Sequence, residues 1–395
     1  MLTVRDSDPN SAPHNFVLSE ESRDAKITFT LTSDTYQDVS LKFALESPVF
    51  RIYDNYHVSV HLFKNPFLAQ TEIVELRVDG LAANNGRIGY FFRLDALFEE
   101  NIIQLSNHTY TYAYHALRYL FGDDTNLQTK EIILTEDPPA ITSFFEDDTI
   151  ILVLCNEYCE AIPGFSIENY LPHIFLNGFT IFDNLSPIET TNNSGLLADN
   201  YELVKGIKSA DNNPILRIPA ANPFLINESF VIHLFKRLIQ KKNEVVTRFI
   251  ILYQVIEILI NKVLHLKIQE KVCHDIDNLN GRALIELLDQ IKTEKERMKW
   301  LFNVFARPSA PVESALKQQL IDLFVHIADP DFADPTTHVD LTLQKVFYGY
   351  RNKLVHNYRL IHDPRIDLDT TEAHMHEINL LSEIFVAEMV SSFHA

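Results

Sequence analysis

With 395 residues, 46% of them hydrophobic and 22% charged, the chain has material for a sizeable buried core and for two or three domains. Ten glycines, 17 prolines and three cysteines exclude collagen-like, low-complexity and disulfide-scaffold architectures. The net charge of −20 opposes nonspecific attraction to nucleic acid, but it is unevenly spread: residues 1–223 carry 14 Lys and Arg against 31 Asp and Glu, whereas 224–395 carry 20 against 23.

The opening residues carry Arg5, Asp6 and Asp8 with no apolar run, unlike a signal peptide. From about residue 26 to 154 the chain reads in short β-branched and aromatic runs at 26–32, 39–43, 57–63, 72–78, 87–94, 131–135 and 149–154. Several alternate polar with apolar, and turn formers such as Asp79-Gly80, Asn84-Asn85-Gly86 and Asp137-Pro138-Pro139 separate them. That pattern predicts a mostly antiparallel β domain over 1–162, with helical insertions at 95–105 and 115–121. Tyr110, Tyr112 and Tyr114 alternate as a strand face would. Asn, Gly and Pro among short apolar runs make 163–223 read as a loop-rich tail and linker.

Beyond Pro223 the period changes. Amphipathic segments at 228–242, 244–272, 282–305, 312–328, 341–358 and 370–393 predict six helices, broken at Pro308-Ser309-Ala310-Pro311, Asp329-Pro330 and Asp363-Pro364. The expected architecture is α+β: a β-rich domain, then an all-α bundle over 224–395. The apolar stretch 249–260, interrupted by Gln254 and Glu257, reads as too short to cross a bilayer, so a cytoplasmic chain without membrane contact is expected. Cys155 and Cys159 have no neighbouring His or Cys pair to complete a zinc site, and His374 and His376, two apart, do not share a helix face. No metal or cofactor is expected.

Phosphate-binding glycine loops, nucleophile elbows and zinc-protease motifs are missing from the sequence. The informative string is Gly349-Tyr350-Arg351-Asn352-Lys353-Leu354-Val355-His356-Asn357-Tyr358. On a helix, Leu343, Phe347, Tyr350 and Leu354 form an apolar stripe, while Lys345, Gly349, Asn352 and His356 line another face flanked by Arg351. A helix-interior glycine, which costs about 1 kcal/mol relative to alanine, suggests close approach by a backbone or ligand. An arginine fork matches a phosphate, and an imidazole passes protons near neutral pH. Five residues, about 140° of helix, separate Arg351 from His356, so one phosphate meets both only if the helix ends there or two copies pool their residues.

Arg351-Asn352-x-x-x-His356 inside a C-terminal helical bundle resembles the Arg-Asn-x-x-x-His signature of HEPN domains (higher eukaryotes and prokaryotes nucleotide-binding). The stretch 249–257, ending in Glu257, is similar to the acidic-residue-bearing helix of Apea-like, abortive-infection members. The resemblance covers about 224–395. It implies a metal-independent endoribonuclease of toxin–antitoxin or anti-phage systems, cutting tRNA or mRNA as a homodimer whose bundles share a cleft. Carried across, Arg351 stabilises the phosphorane, His356 is general acid or base, Asn352 orients the phosphate or His356, and Glu257 pairs with Arg351 or tunes His356. Tyr358 completes a string similar to HEPN toxins whose tyrosine is nucleotidylated by a partner antitoxin, although its spacing from Leu354 equally suits a cap on the apolar stripe. The alternatives are a non-catalytic nucleotide- or RNA-binding module and a dimerisation bundle, either regulated by a partner protein. The acidic first domain is expected to receive a protein trigger or antitoxin.

Overall fold

Burial alternates along the segment Lys26–Thr32: Ile27, Phe29 and Leu31 are buried while the lysine and threonines between and beside them are partly exposed. The computed structural model describes residues 2–6, 10, 12, 14–23, 26–32, 41–46, 57–81, 83–98, 106–121, 131–134, 145–146, 148–182, 188–270, 281–282, 285–286, 289, 293–356 and 366–394. These form two compact units: Met1–Ile167 with Asn177–Thr191 and Ala198–Ala220, and Glu168–Leu176 with Asn192–Leu197 and Ala221–Ala395.

The first unit holds β1 (Leu2–Asp6), β2 (His14–Arg23), β3 (Lys26–Thr32), β4 (Leu41–Glu46), β5 (Val58–Lys64), β6 (Val74–Val78), β7 (Arg87–Arg93), α1 (Asn107–Phe121), β8 (Glu131–Leu134), β9 (Ile150–Cys155) and α2 (Asn156–Glu160). One sheet has the order β4-β3-β2-β1-β8, antiparallel except for the parallel β1–β8 pair. The expectation of β structure in the first half thus holds, and the fold class is α+β.

Two expectations need correction. The alternating tyrosines lie on α1, not on a strand: Tyr110, Tyr112 and Tyr114 are all buried. Helical spacing of Ala113, Ala116, Leu117, Leu120 and Phe121 gives this segment a second apolar face, and burial on both sides favours the helix over the alternation. Its rings reach each sheet: Phe121 packs 5.1 Å from Phe43 of β4, and Tyr112 meets Tyr90 of β7 edge to face at 4.9 Å. The helical insertion expected at 95–105 is a short 3-10 turn at Asp95–Leu97, and its remainder after Phe98 lies outside the described residues.

The segment 163–223 is not a loop-rich linker either. It carries α3 (Leu171–Phe175), β10 (Thr180–Phe182), α4 (Gly195–Gly206) and β11 (Ile215–Ile218). β10 and β11 are the two edges of the second sheet, order β10-β5-β9-β7-β6-β11, with β11 parallel to β6 and the other pairs antiparallel. Strands of three and four residues are too short to print a period, and backbone pairing to a preformed sheet supplies what their own pattern does not.

In the second unit follow α5 (Ser229–His233) with a π turn at Leu234–Leu238, α6 (Val245–Ile268), α7 (Glu294–Trp300) with a π turn at Leu301–Phe305, α8 (Ala310–His326), α9 (Leu343–His356) and α10 (Leu368–Ser392). At 24 residues, α6 outruns the 12-residue apolar stretch seen in the sequence and is long and apolar enough by composition to span a bilayer. Its inner side is a packing face: Phe249 lies 5.3 Å from Phe347 of α9 and meets Tyr350 edge to face at 4.6 Å, and Phe347 reaches Phe385 of α10 at 5.2 Å.

Polar ties fix the start of α6. Glu244 accepts the Thr247 amide as its cap at 2.9 Å. Arg248 donates from Nη2 to Ile239 O at 2.7 Å and from Nε to Glu383 of α10 at 2.6 Å, while Asn192 Nδ2 donates to the other Glu383 oxygen at 2.9 Å. Burial pushes the Glu383 pKa up, and the Arg248 charge and the two donors hold it down. Asn379 Nδ2 donates to Val245 O at 2.8 Å. With its first turn tied to α10, α6 presents a fixed face to α9.

Candidate active site

The sequence motif lies on α9, and the expected stripe is the buried one: Leu343, Phe347, Tyr350 and Leu354 are no more than 4% exposed. The loop leading into α9 caps it, Thr342 accepting the Lys345 and Val346 amides through its hydroxyl and carbonyl at 3.3 and 3.2 Å. A turn further along, the stripe brings Arg351 over α6.

Among the described residues, three groups hold that guanidinium. Nη1 donates to Asn352 Oδ1 at 3.2 Å, Nη2 lies 3.5 Å from Glu257 Oε1, and Cζ sits 5.4 Å from the centroid of the Tyr253 ring. Tyr253 is itself pinned, stacked 5.9 Å from Phe347 and donating its hydroxyl to Glu294 Oε1 of α7 at 3.1 Å. Burial, then the neighbouring Glu294, push the Tyr253 phenol well above its ordinary pKa, and Arg351 pulls the other way, so it stays protonated at neutral pH. Glu294 stands in the first turn of α7, where the helix dipole favours a carboxylate and Thr293 caps the end.

Of the residues singled out from the sequence, the structure joins Arg351, Asn352 and Glu257, and leaves His356 apart. His356 is exposed and makes no hydrogen bond among the described residues. Both Arg351 and His356 belong to one continuous helix, so the angular separation expected from their spacing stands within a single chain. Tyr358 lies outside the described residues.

Among the described residues, a Cβ at Gly349 would meet Phe324 Cζ at 3.9 Å and no backbone from another element, so the close backbone approach expected there is not found among them.

Sequence reasoning missed Tyr253, Glu294 and the pair formed by Lys353 and Asp329. Asp329 is 4% exposed, follows Ala328 at the C-terminal cap of α8, and is bound by Lys353 Nζ. Its amide donates to Phe324 O at 2.9 Å, with Ala328 in the left-handed region at φ 51°. The available signal was Lys353 itself, a cation inside the motif string, together with the helix break at Asp329-Pro330. Tyr253 had only its place on the apolar helix.

Among the described residues no group of three or more His, Cys, Asp or Glu side chains could hold a metal ion. His374 faces Gln319 at 2.9 Å and lies 5.6 Å from His326, ring to ring, instead of pairing with the exposed His376.

The arrangement can bind an anion at the Arg351 fork and can exchange a proton at His356, with Glu257 competing for the fork. Set against family models, curated proteins and solved structures, the chain matches none of them.

Proposed function

We propose that this chain is a HEPN-type ribonuclease, a metal-independent RNA hydrolase that acts as a cytoplasmic homodimer in phage defence or as a toxin. The observation that carries the reading is Arg351: a guanidinium that is only partly exposed, braced on an aromatic ring and still able to donate from Nε and its remaining Nη hydrogens, five residues before an exposed histidine on the same helix. A 2′-hydroxyl attacks the adjacent phosphorus and the bond to the 5′-oxygen breaks. One imidazole takes the 2′ proton and a second donates to the departing oxygen, leaving a 2′,3′-cyclic phosphate and a 5′-hydroxyl. Two copies of His356 supply both roles, and Arg351 stabilises the charge that builds on the phosphorane. The acidic first unit is proposed to receive a protein trigger or antitoxin, and Tyr358 is proposed as a nucleotidylation target.

The test is incubation of the purified full chain, Arg351→Ala and His356→Ala with end-labelled tRNA and mRNA in excess EDTA, followed by end mapping. The expected result is cleavage by the unmodified chain alone, with cyclic-phosphate ends. Equal cleavage by His356→Ala overturns the reading.

A second reading, a non-catalytic RNA- or nucleotide-binding module, is favoured by the separation of His356 from the Arg351 cluster and by Glu257 beside the fork. Arg351-dependent binding with no cleavage by any variant would select it.

A further inference from the structure

An arginine that must meet a phosphate edge-on needs its plane fixed by something rigid. Asn352 cannot do this, because it is the next residue of the same helix and moves with Arg351. Glu257 is a poor anchor: its side chain is 46% exposed and lies 3.5 Å away, and such ion pairs are weakened by solvent and salt.

Tyr253 differs on both counts. It is 3% exposed, comes from α6, and its ring is confined by Phe249 at 6.1 Å and Phe347 at 5.9 Å. Its hydroxyl is tied at 3.1 Å to Glu294, on a third helix. The ring is thus held by two aromatic neighbours and a hydrogen bond to another helix, and the guanidinium lies 5.4 Å from its centroid, within cation–π range. The ring lies on the α6 side of the guanidinium, and among the described residues Nη1 and Nη2 face Asn352 and Glu257 while Nε has no partner, so a ligand approaches along the N–H edge.

We propose that Tyr253 is a positioning residue, whose clamped ring sets the plane of the Arg351 guanidinium and presents its free N–H edge to a phosphodiester. In its catalytic consequence the inference rests on the ribonuclease reading; in its placement of Arg351 it does not. Glu294 holds Tyr253 and acts one step further back.

The test uses the full chain, Tyr253→Phe, which keeps the ring and loses the hydroxyl, and Tyr253→Met, which fills the space without a ring. The Arg351 Nε–Hε resonance, assigned through Arg351→Lys, is followed by NMR, and RNA cleavage is resolved into kcat and KM. A ring-current shift present in the unmodified chain and Tyr253→Phe and lost in Tyr253→Met is expected. With it, kcat falls at least about tenfold in Tyr253→Met while KM changes by less than about threefold, and Tyr253→Phe, which keeps the ring but loses the Glu294 tie, loses less kcat than Tyr253→Met. An Arg351 resonance that does not respond to Tyr253→Met overturns the proposal, as does an unchanged kcat. If the unmodified chain cleaves no RNA, the ribonuclease reading falls and the NMR comparison alone decides the placement.

Discussion

Replacing Lys353 by methionine should destabilise the helical unit far more than a partly exposed lysine suggests. The side chain of Asp329 is 1% exposed, and its carboxylate has two partners: Oδ1 accepts the Asp331 amide at 3.1 Å, and Oδ2 is bound by Lys353 Nζ. Methionine keeps the aliphatic stem and removes the ammonium, so one oxygen of a buried carboxylate loses its compensation. Breaking a buried pair from one side costs about 3–5 kcal/mol. Because the Lys353 side chain is itself 20% exposed, water can reach part of the site, and we expect the low end, about 3 kcal/mol. The assay is urea unfolding of the full chain, with Asp329→Asn and the double variant completing a cycle. The double variant should be less destabilised than the sum of the singles by at least about 1.5 kcal/mol. A loss under about 1 kcal/mol for Lys353→Met, or additive singles, would refute the reasoning.

Gly349→Ala should raise stability by about 1 kcal/mol, since among the described residues the added methyl meets only Phe324 Cζ at 3.9 Å, and thermal unfolding checks it. If the same variant loses RNA cleavage, the glycine serves an approach from outside the chain. Acid should weaken the second unit through His173, whose pKa burial lowers to about 4 from 6.5. The folded state binds this proton less readily than the unfolded chain, so its contribution is intact above about pH 6.5 and is lost as pH falls towards 4, by about 3 kcal/mol in all. Unfolding midpoints of the unmodified chain and His173→Gln at pH 7.5, 5.5 and 4.5 should diverge accordingly; parallel curves would contradict it.

Much of the site was legible because it is local. The spacing of Leu343, Phe347, Tyr350 and Leu354 placed the motif on a helix with a buried stripe, and all four are buried there. What surrounds Arg351 was not legible in the same way. Tyr253 and Glu294 lie about 100 and 57 residues before it in sequence, and neither departs from the pattern of an ordinary amphipathic helix. In the first half, strands with a period of two were readable, whereas β1 and β2 and the edges β10 and β11 went unseen, and the tyrosines of α1 imitated a strand. The buried Arg248–Glu383 pair was invisible for a further reason: a charged residue reads as surface until its partner is known.

The helical unit is also discontinuous along the chain. It draws Glu168–Leu176 and Asn192–Leu197 from within the span that otherwise belongs to the sheet unit, and Asn192 is a direct partner of the buried Glu383. A fragment starting at residue 224 would lack that amide and α3, and a fragment ending at 162 would lack both edge strands of the second sheet. No single cut separates the two units intact, so gene fusion at one breakpoint cannot trade either as a module. During synthesis, the sheet unit waits for Ile218 to complete its edge, by which time two pieces of the helical unit have already left the ribosome.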